Sequence, residues 1–334
     1  MDPAATALWS TQRPGAPPFD TACVAPWVSL EFDPSGLVYA CCTSNLYPLG
    51  RVGEQPLRDL WGGARSTVLR DALRSWDLSV ACQPCRWHLE HGRPDPIAAV
   101  YDRLPLSSPD PPWPHMMLFA LSNRCNLGCV MCSPELSSTI RTGLGLPPLD
   151  SPYDDRFFHE LGEFLPHLRL AKFLGGEPFL AAEHHRVWSM LEVLDRRPRL
   201  SVTTNGTVWT DRVEQLLERF EVDVSVSGDA ATPETSAAIR PGGDLADVRR
   251  NVARFAERAA ARATSLHVSF CLMPSNAHEL AEFLRWAEPY SLSTPVDVSW
   301  VSNEGMTLAE LDLDALESVR ADWGRAEDRI GHRL

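Results

Sequence analysis

Nine cysteines punctuate this 334-residue sequence, and their spacing carries chemistry. Cys125, Cys129 and Cys132 fall in CNLGCVMC as C-x3-C-x2-C. Three thiolates on one short loop can hold three irons of a 4Fe–4S cluster. The fourth iron then stays open to another ligand, by the logic of a catalytic zinc. A structural zinc takes four closed ligands and ferredoxin loops carry a further Cys, so the triplet fits neither. An earlier group reads Cys23-Val-Ala-Pro-Trp, then Gly36-x4-Cys41, then Cys82-Gln-Pro-Cys85. Four thiolates make a closed site, and the residues alone leave a second 4Fe–4S cluster and a structural zinc both open. His88 and His91 follow the last pair. With four Cys at hand, both read as surface or cleft histidines. Cys42 neighbours Cys41 as a spare, and Cys271 stands apart.

The rest of the composition is that of an ordinary globular protein. Length suggests about two domains. The hydrophobic share is 44% and the mean hydropathy is −0.18. A net charge of −13 argues against nucleic acid and anionic membranes, where phosphate neutralisation supplies much of the affinity. No apolar run reaches the roughly 20 residues of a membrane helix. The N-terminus shows no basic region followed by an apolar core, so the expected setting is the reducing cytoplasm. There, clustered Cys are metal ligands or catalysts before they are disulfides. Among 31 basic residues, Lys172 is the single lysine. It reads as a surface or chance survivor ahead of a substrate contact.

Elements must position these groups. Residues 1–22, rich in Pro, Ala and Thr, read as a flexible tail. Residues 23–103 hold the first cysteine group, with a hairpin-like WVSLEFDPSGLVYACC turning at DPSG. The Pro-rich stretch 104–114 reads as a stiff linker. Over 115–334, short apolar runs alternate with amphipathic segments about six times. The runs are 116–121, 168–174, 200–204, 222–227, 266–273 and 296–301; helical stretches are expected near 154–166, 182–197, 210–220, 244–262, 277–288 and 307–327. Such alternation predicts an α/β fold with a parallel sheet, either doubly wound or a partial barrel.

The triplet after the first strand of a six-unit β/α domain resembles the radical S-adenosylmethionine (SAM) superfamily. Further matches follow in order. Gly175-Gly176-Glu177-Pro178 ends the second strand and is similar to the motif that receives the SAM methionine amine. Thr204 and Asn205 end the third strand. Ser225 and Ser227 end the fourth, where a ribose contact is usual. Arg240 matches a position that pairs with the SAM carboxylate, and Met131 stands where relatives carry an aromatic against adenine. The resemblance implies a partial (β/α)6 barrel. It implies a SAM-binding 4Fe–4S cluster on Cys125, Cys129 and Cys132, and a 5′-deoxyadenosyl radical that takes a hydrogen atom from substrate. A flavodoxin- or ferredoxin-type donor supplies the electron. The N-terminal CxxPW, Gx4C and CxxC resemble the SPASM/twitch module, here preceding the barrel. That implies an auxiliary 4Fe–4S cluster on Cys23, Cys41, Cys82 and Cys85.

Cys271 bears on the reaction. Alternation in LHVSFCLM puts His267, Ser269, Cys271 and Met273 on one face, with Val268, Phe270 and Leu272 on the other. The polar set is expected to face the lumen. A thiol there can return a hydrogen atom to a substrate radical, which makes an epimerase; a free Cys is also a common buried residue. Radical SAM epimerases of orthosomycin and aminoglycoside sugars use such a donor. The expectation is therefore an epimerase with Cys271 catalytic, acting on a small, sugar-containing substrate. A dehydrogenase oxidising an alcohol is the alternative. A peptide maturase is disfavoured for want of a peptide-binding wing, and an Fe–S carrier because a carrier needs no GGEP. Glu183, His184, His185, Asp297 and Trp300 are further cavity candidates, whereas Trp113, Trp209 and Trp323 read as packing residues.

Overall fold

The computed structural model describes residues 3–13, 20–91, 97–104, 106, 108–290, 296–301 and 303–330. The chain divides into two compact units. The first comprises Met1–Leu121, Asp150–Lys172 and Arg186–Pro198; the second comprises Ser122–Leu149, Phe173–His185 and Arg199–Leu334.

In the first unit Ser29–Phe32 (β1) and Leu37–Tyr39 (β2) form the expected hairpin. Asp33 Oδ1 accepts from the Ser35 and Leu37 amides at 2.8 and 3.0 Å, an Asx turn of the kind DPSG favours. Gly36 sits at φ +85°, where a Cβ would meet Pro152 at 2.8 Å, so glycine is required. Gly50–Arg51 (β3) pairs with β2, and β1 runs parallel to Met116–Phe119 (β4). Leu170–Phe173 (β5) follows, giving the order β3-β2-β1-β4-β5. Phe32 stacks on Phe119 with centroids 5.8 Å apart and meets Phe157 edge-on at 5.5 Å. Each such buried ring contributes about 1.5–3 kcal/mol.

Two expectations change here. Pro3–Gln12 is a helix where a flexible tail was expected. Trp9 is buried, its indole N–H donating to the Ala22 carbonyl at 2.8 Å, and Arg13 pairs with Asp102 at 2.7 Å with both side chains buried. Tertiary anchors supply what the local sequence does not. The Pro-rich stretch, of which residues 105 and 107 lie outside the described residues, belongs to the first unit instead of separating two domains. The Pro111 and Pro112 carbonyls accept from Trp61 and Arg58, so its prolines strap it down. The first unit also includes 150–172 and 186–198, assigned above to the second domain.

The second unit carries Arg199–Thr204 (β6), Val222–Ser227 (β7), Leu266–Leu272 (β8) and Asp297–Trp300 (β9), each parallel to the next. With β4 and β5, these are the six strands read from the sequence. Burial alternates along β7 and β8. Val224, Val226, Val268 and Phe270 lie on the buried face, with Phe270 against Phe283 of the helix Leu280–Ala287 at 4.8 Å. The amphipathic helix Leu245–Arg262 buries Leu245, Val248, Val252, Phe255 and Ala259, the three- and four-residue spacing of one packed face. Ser225, Ser227, His267, Ser269 and Cys271 stand half-buried on the other face. The fold is mixed α/β with a mostly parallel sheet.

Candidate functional site

The cysteine loop is built by its own hydroxyls. Ser137 Oγ donates to the Leu127 carbonyl at 2.7 Å, and Thr139 Oγ1 to the Cys125 carbonyl at 2.8 Å. The segment carrying Arg240 braces the loop from another side: the Gly128 amide donates to the Pro241 carbonyl and the Val130 amide to that of Ile239, both at 2.9 Å. The sulfurs face donors. The Leu127 amide and Asn205 Nδ2 approach Cys125 Sγ at 3.5 and 3.9 Å, and an Arg240 guanidinium N–H approaches Cys129 Sγ at 3.7 Å. Burial nevertheless pushes all three thiols up, Cys129 to about 11, and the charges of neighbouring thiolates add to it at Cys125 and Cys129. Three thiols costly to ionise together, yet each served by donors or a nearby cation, fit a positively charged iron group that takes them as thiolates.

The second-strand motif is locked to the cysteine loop. Gly176 lies at φ +55°, and a Cβ there would collide with the Arg124 carbonyl. The Glu177 amide donates to that same carbonyl at 2.8 Å. Glu177 is fully buried and its carboxylate is already engaged, accepting from Thr204 Oγ1 and the Asn205 amide at 2.8 Å each and from the Phe179 amide at 3.2 Å. Burial pushes its carboxyl up to about 7 against those donors. Asn205 Nδ2 donates to Asn126 Oδ1 at 3.0 Å, and Asn126 Nδ2 to Thr207 Oγ1 at 2.9 Å. Cys125, Glu177, Thr204 and Asn205 are thus one hydrogen-bonded group, with Gly176 packed against the Arg124 carbonyl that Glu177 binds.

Arg240 is committed in a way the sequence did not announce. Its Nε donates to Asp229 Oδ2 at 2.8 Å and a terminal N–H to the same oxygen, while Asp229 is fully buried. Asp229 Oδ1 also accepts from the Cys271 amide at 2.6 Å. Asn276 Nδ2 ties the Asp229 and Cys271 carbonyls together at 2.9 Å each. Asp229 and Asn276 are the residues sequence reading missed. The acidic residue after Gly228 in VSVSGD was the available signal for the first. Cys271 Sγ lies 3.3 Å from Ser299 Oγ. Burial and the nearby Asp229 push its thiol up, with Ser299 and Arg240 opposing. Cys271 and Met131 pack against one apolar group, Ile239, Met273 and Val301.

In the first unit Cys23, Cys41, Cys82 and Cys85 line one cavity with Trp9, Thr43 and Tyr101. Thr43 Oγ1 lies 3.2 Å from Cys41 Sγ and 3.7 Å from Cys85 Sγ, and the Ala25 amide donates to Cys23 Sγ at 3.4 Å. Burial pushes Cys23, Cys41 and Cys82 up, and the charges of neighbouring thiolates push in the same direction on Cys23 and Cys82. Four thiols around a cavity suit a group whose ligands sit on separate irons. His91 folds back on its own helix, stacked on Trp87 at 4.3 Å. His184 is buried edge-on to Phe173, whereas His185, its Nε2 3.0 Å from the Phe179 carbonyl, lines a cavity with Arg124, Phe179 and Arg212. Asp297 is exposed and Glu183 half-buried; the side chain of Trp300 lies outside the described residues.

Residues 119–287, half of the chain, match the radical SAM superfamily, and residues 23–86 match SPASM, an iron-sulfur cluster-binding domain. A GTP 3′,8-cyclase of Streptomyces coelicolor is 31% identical over 216 residues, covering 60% of this chain and 59% of that protein. The tungsten-containing aldehyde ferredoxin oxidoreductase cofactor-modifying protein of Pyrococcus furiosus is 28% identical over 189 residues, covering 55% and 49%. The chain therefore spans about half the length of the curated relatives it matches. Among solved structures, Streptococcus suis SuiB bound to S-adenosylmethionine is 14% identical at a TM-score of 0.45, covering 79% of this chain and 58% of that one. No described helix is long and apolar enough to cross a membrane. With its strand-end motifs gathered around the cysteine loop and its N-terminal segment matched to SPASM, this chain belongs to the radical SAM superfamily.

Proposed function

We propose that this enzyme inverts a hydroxyl-bearing carbon of a small, sugar-containing molecule, with Cys271 returning the hydrogen atom. In this reading Cys125, Cys129 and Cys132 hold the SAM-binding 4Fe–4S cluster. Cys23, Cys41, Cys82 and Cys85 hold the auxiliary one. Gly175, Gly176, Pro178, Thr204, Asn205, Ser225, Ser227, Arg240 and Met131 line the SAM site, and Glu177 holds the motif's main chain in place. Bound there, the cluster and SAM supply the one-electron chemistry that removes a substrate hydrogen.

The chain's own part is to keep a hydrogen ready. Cys271 carries the proposal: its sulfur lies on the half-exposed face of β8, and its amide is fixed by Asp229. Burial keeps the thiol protonated at neutral pH, so the S–H bond is there to give. When the hydrogen atom leaves, the sulfur is a thiyl; an electron from the reducing system and a proton from water restore it. A flavodoxin- or ferredoxin-type protein suits that role.

A cyclisation is the second reading, favoured by the name of the Streptomyces relative. Product mass together with connectivity separates the readings. Reduced enzyme with SAM and a hydroxylated substrate gives a product of unchanged mass and altered stereochemistry under the proposal. Loss of two hydrogens identifies a dehydrogenase, and a 3′,8-linked product from GTP identifies a cyclase. Either result sinks the epimerase.

A further inference from the structure

The single lysine of the chain stands where no carboxylate of the described residues comes within ion-pair distance of it. Lys172 is half-buried on β5, and among the described residues its ammonium makes no hydrogen bond or ion pair. Leu170, two residues earlier and so on the same face of β5, packs against the buried group that holds Tyr101, as Cys41 does. That puts Lys172 on the side of the sheet where Tyr101 meets Glu31, and its charge acts on Glu31 and on Cys42. Glu31 lies on β1, opposite Leu118 of β4, and only 4% of it is exposed. Tyr101 O–H donates to Glu31 Oε1 at 2.8 Å, and the Cys42 amide also serves the carboxylate.

The order β1-β4-β5 puts one strand between the two residues, so their backbones stand at least about 10 Å apart. Across that gap face an ammonium without a direct ion pair among the described residues and a carboxyl held in place by a phenol. A buried or half-buried charge left unpaired is costly, and chains keep it where a ligand completes the pair. The other basic residues are all Arg, whose planar fork suits bidentate partners; an ammonium is a compact point charge suited to one anionic oxygen. The Glu31 carboxyl accepts from a hydroxyl, or donates to it when protonated.

We infer that Lys172 and Glu31 form a substrate-anchoring site beside the auxiliary cysteines, for a molecule bearing an anionic oxygen next to hydroxyls. A sugar phosphate and a sugar acid share that chemistry. Lys172 takes the phosphate or carboxylate oxygen, Glu31 takes a hydroxyl, and Tyr101 fixes Glu31. This names the substrate class under the function proposed above and rests on it. The site is tested by binding alone, so its failure is separate from that of Cys271 as a hydrogen donor.

Because Lys172 is the only lysine, reductive methylation of the holoenzyme with 13C-formaldehyde gives one dimethyl-lysine resonance with its charge kept. Titration with glucose 6-phosphate or gluconate is expected to move that resonance saturably, whereas glucose leaves it in place and inorganic phosphate binds at least tenfold more weakly. Movement with glucose 6-phosphate alone assigns the anion to a phosphate; movement with gluconate alone assigns it to a carboxylate. In equilibrium dialysis of unmethylated holoenzyme, Lys172→Met loses at least tenfold in affinity for the anion that binds, Lys172→Arg loses less, and both keep the wild-type iron content. A resonance that moves with neither anion, or as far with inorganic phosphate or glucose, overturns the site. So does Lys172→Met binding as the wild type does.

Discussion

Gly176 shows how one absent methyl group shapes the site. Its left-handed backbone and the Arg124 carbonyl beside it leave no room for a Cβ, and Glu177 bonds to the same carbonyl. Gly176→Ala is expected to cost about 1–3 kcal/mol and to loosen the motif from the cysteine loop. Thermal melts and SAM affinity check this; unchanged values for both contradict it. Glu31 gives a pH signature. Burial raises its carboxyl from 4.5 to about 7, so the folded chain holds that proton more tightly than the unfolded one. Its contribution is complete below about pH 4.5 and is lost as pH rises through about 7, a swing of at most roughly 3 kcal/mol. Urea unfolding of Glu31→Gln should therefore gain on the wild type between pH 5 and 8. At this scale the cysteines were legible because ligand spacing is local. Asp229 was not, because its partners Arg240, Cys271 and Asn276 lie 11 to 47 residues away in sequence and meet it only in the fold.

The elements present chemistry at strand ends. Motif residues follow β5, β6 and β7, and each loop leans on another through a named bond: Glu177 on Asn205, Asn205 on Asn126, and Asp229 on Arg240 and Cys271. The Asp229–Arg240 pair is buried and joins the loop after β7 to the segment bracing the cysteines. Breaking one side leaves an uncompensated buried charge, so Asp229→Asn should cost about 3–5 kcal/mol. Replacing both, Asp229→Leu with Arg240→Met, should cost less than the two single losses combined; a double-mutant cycle by urea unfolding measures the coupling. Additive losses contradict the pairing. Strands and their phase were readable because alternation of Val222, Val224 and Val226, and of Val268, Phe270 and Leu272, is a period-two signal. The helix Pro3–Gln12 was not readable. Its sequence lacks an apolar period, and Trp9 and Arg13 are held by residues far along the chain.

For the whole molecule, the superfamily match and the SPASM match lie on different stretches and bring different clusters. Two 4Fe–4S clusters make roughly eight irons per chain. Cys82→Ser with Cys85→Ser should leave about four while SAM still binds. Cys129→Ser with Cys132→Ser should also leave about four but abolish SAM cleavage. A wild type with about four irons and one zinc contradicts the auxiliary assignment. The net charge of −13 was legible at once as a mark against nucleic acid, whereas the division into units was not. The proline-rich stretch looked like a boundary, yet Arg58 and Trp61 bind it to the first unit. The proposal that Cys271 donates the hydrogen atom has one most direct test. In deuterated water with reduced enzyme and SAM, one deuterium is expected at the inverted carbon, lost in Cys271→Ala with an oxidised product in its place. An inverted product free of deuterium, or deuterium retained by Cys271→Ala, contradicts it.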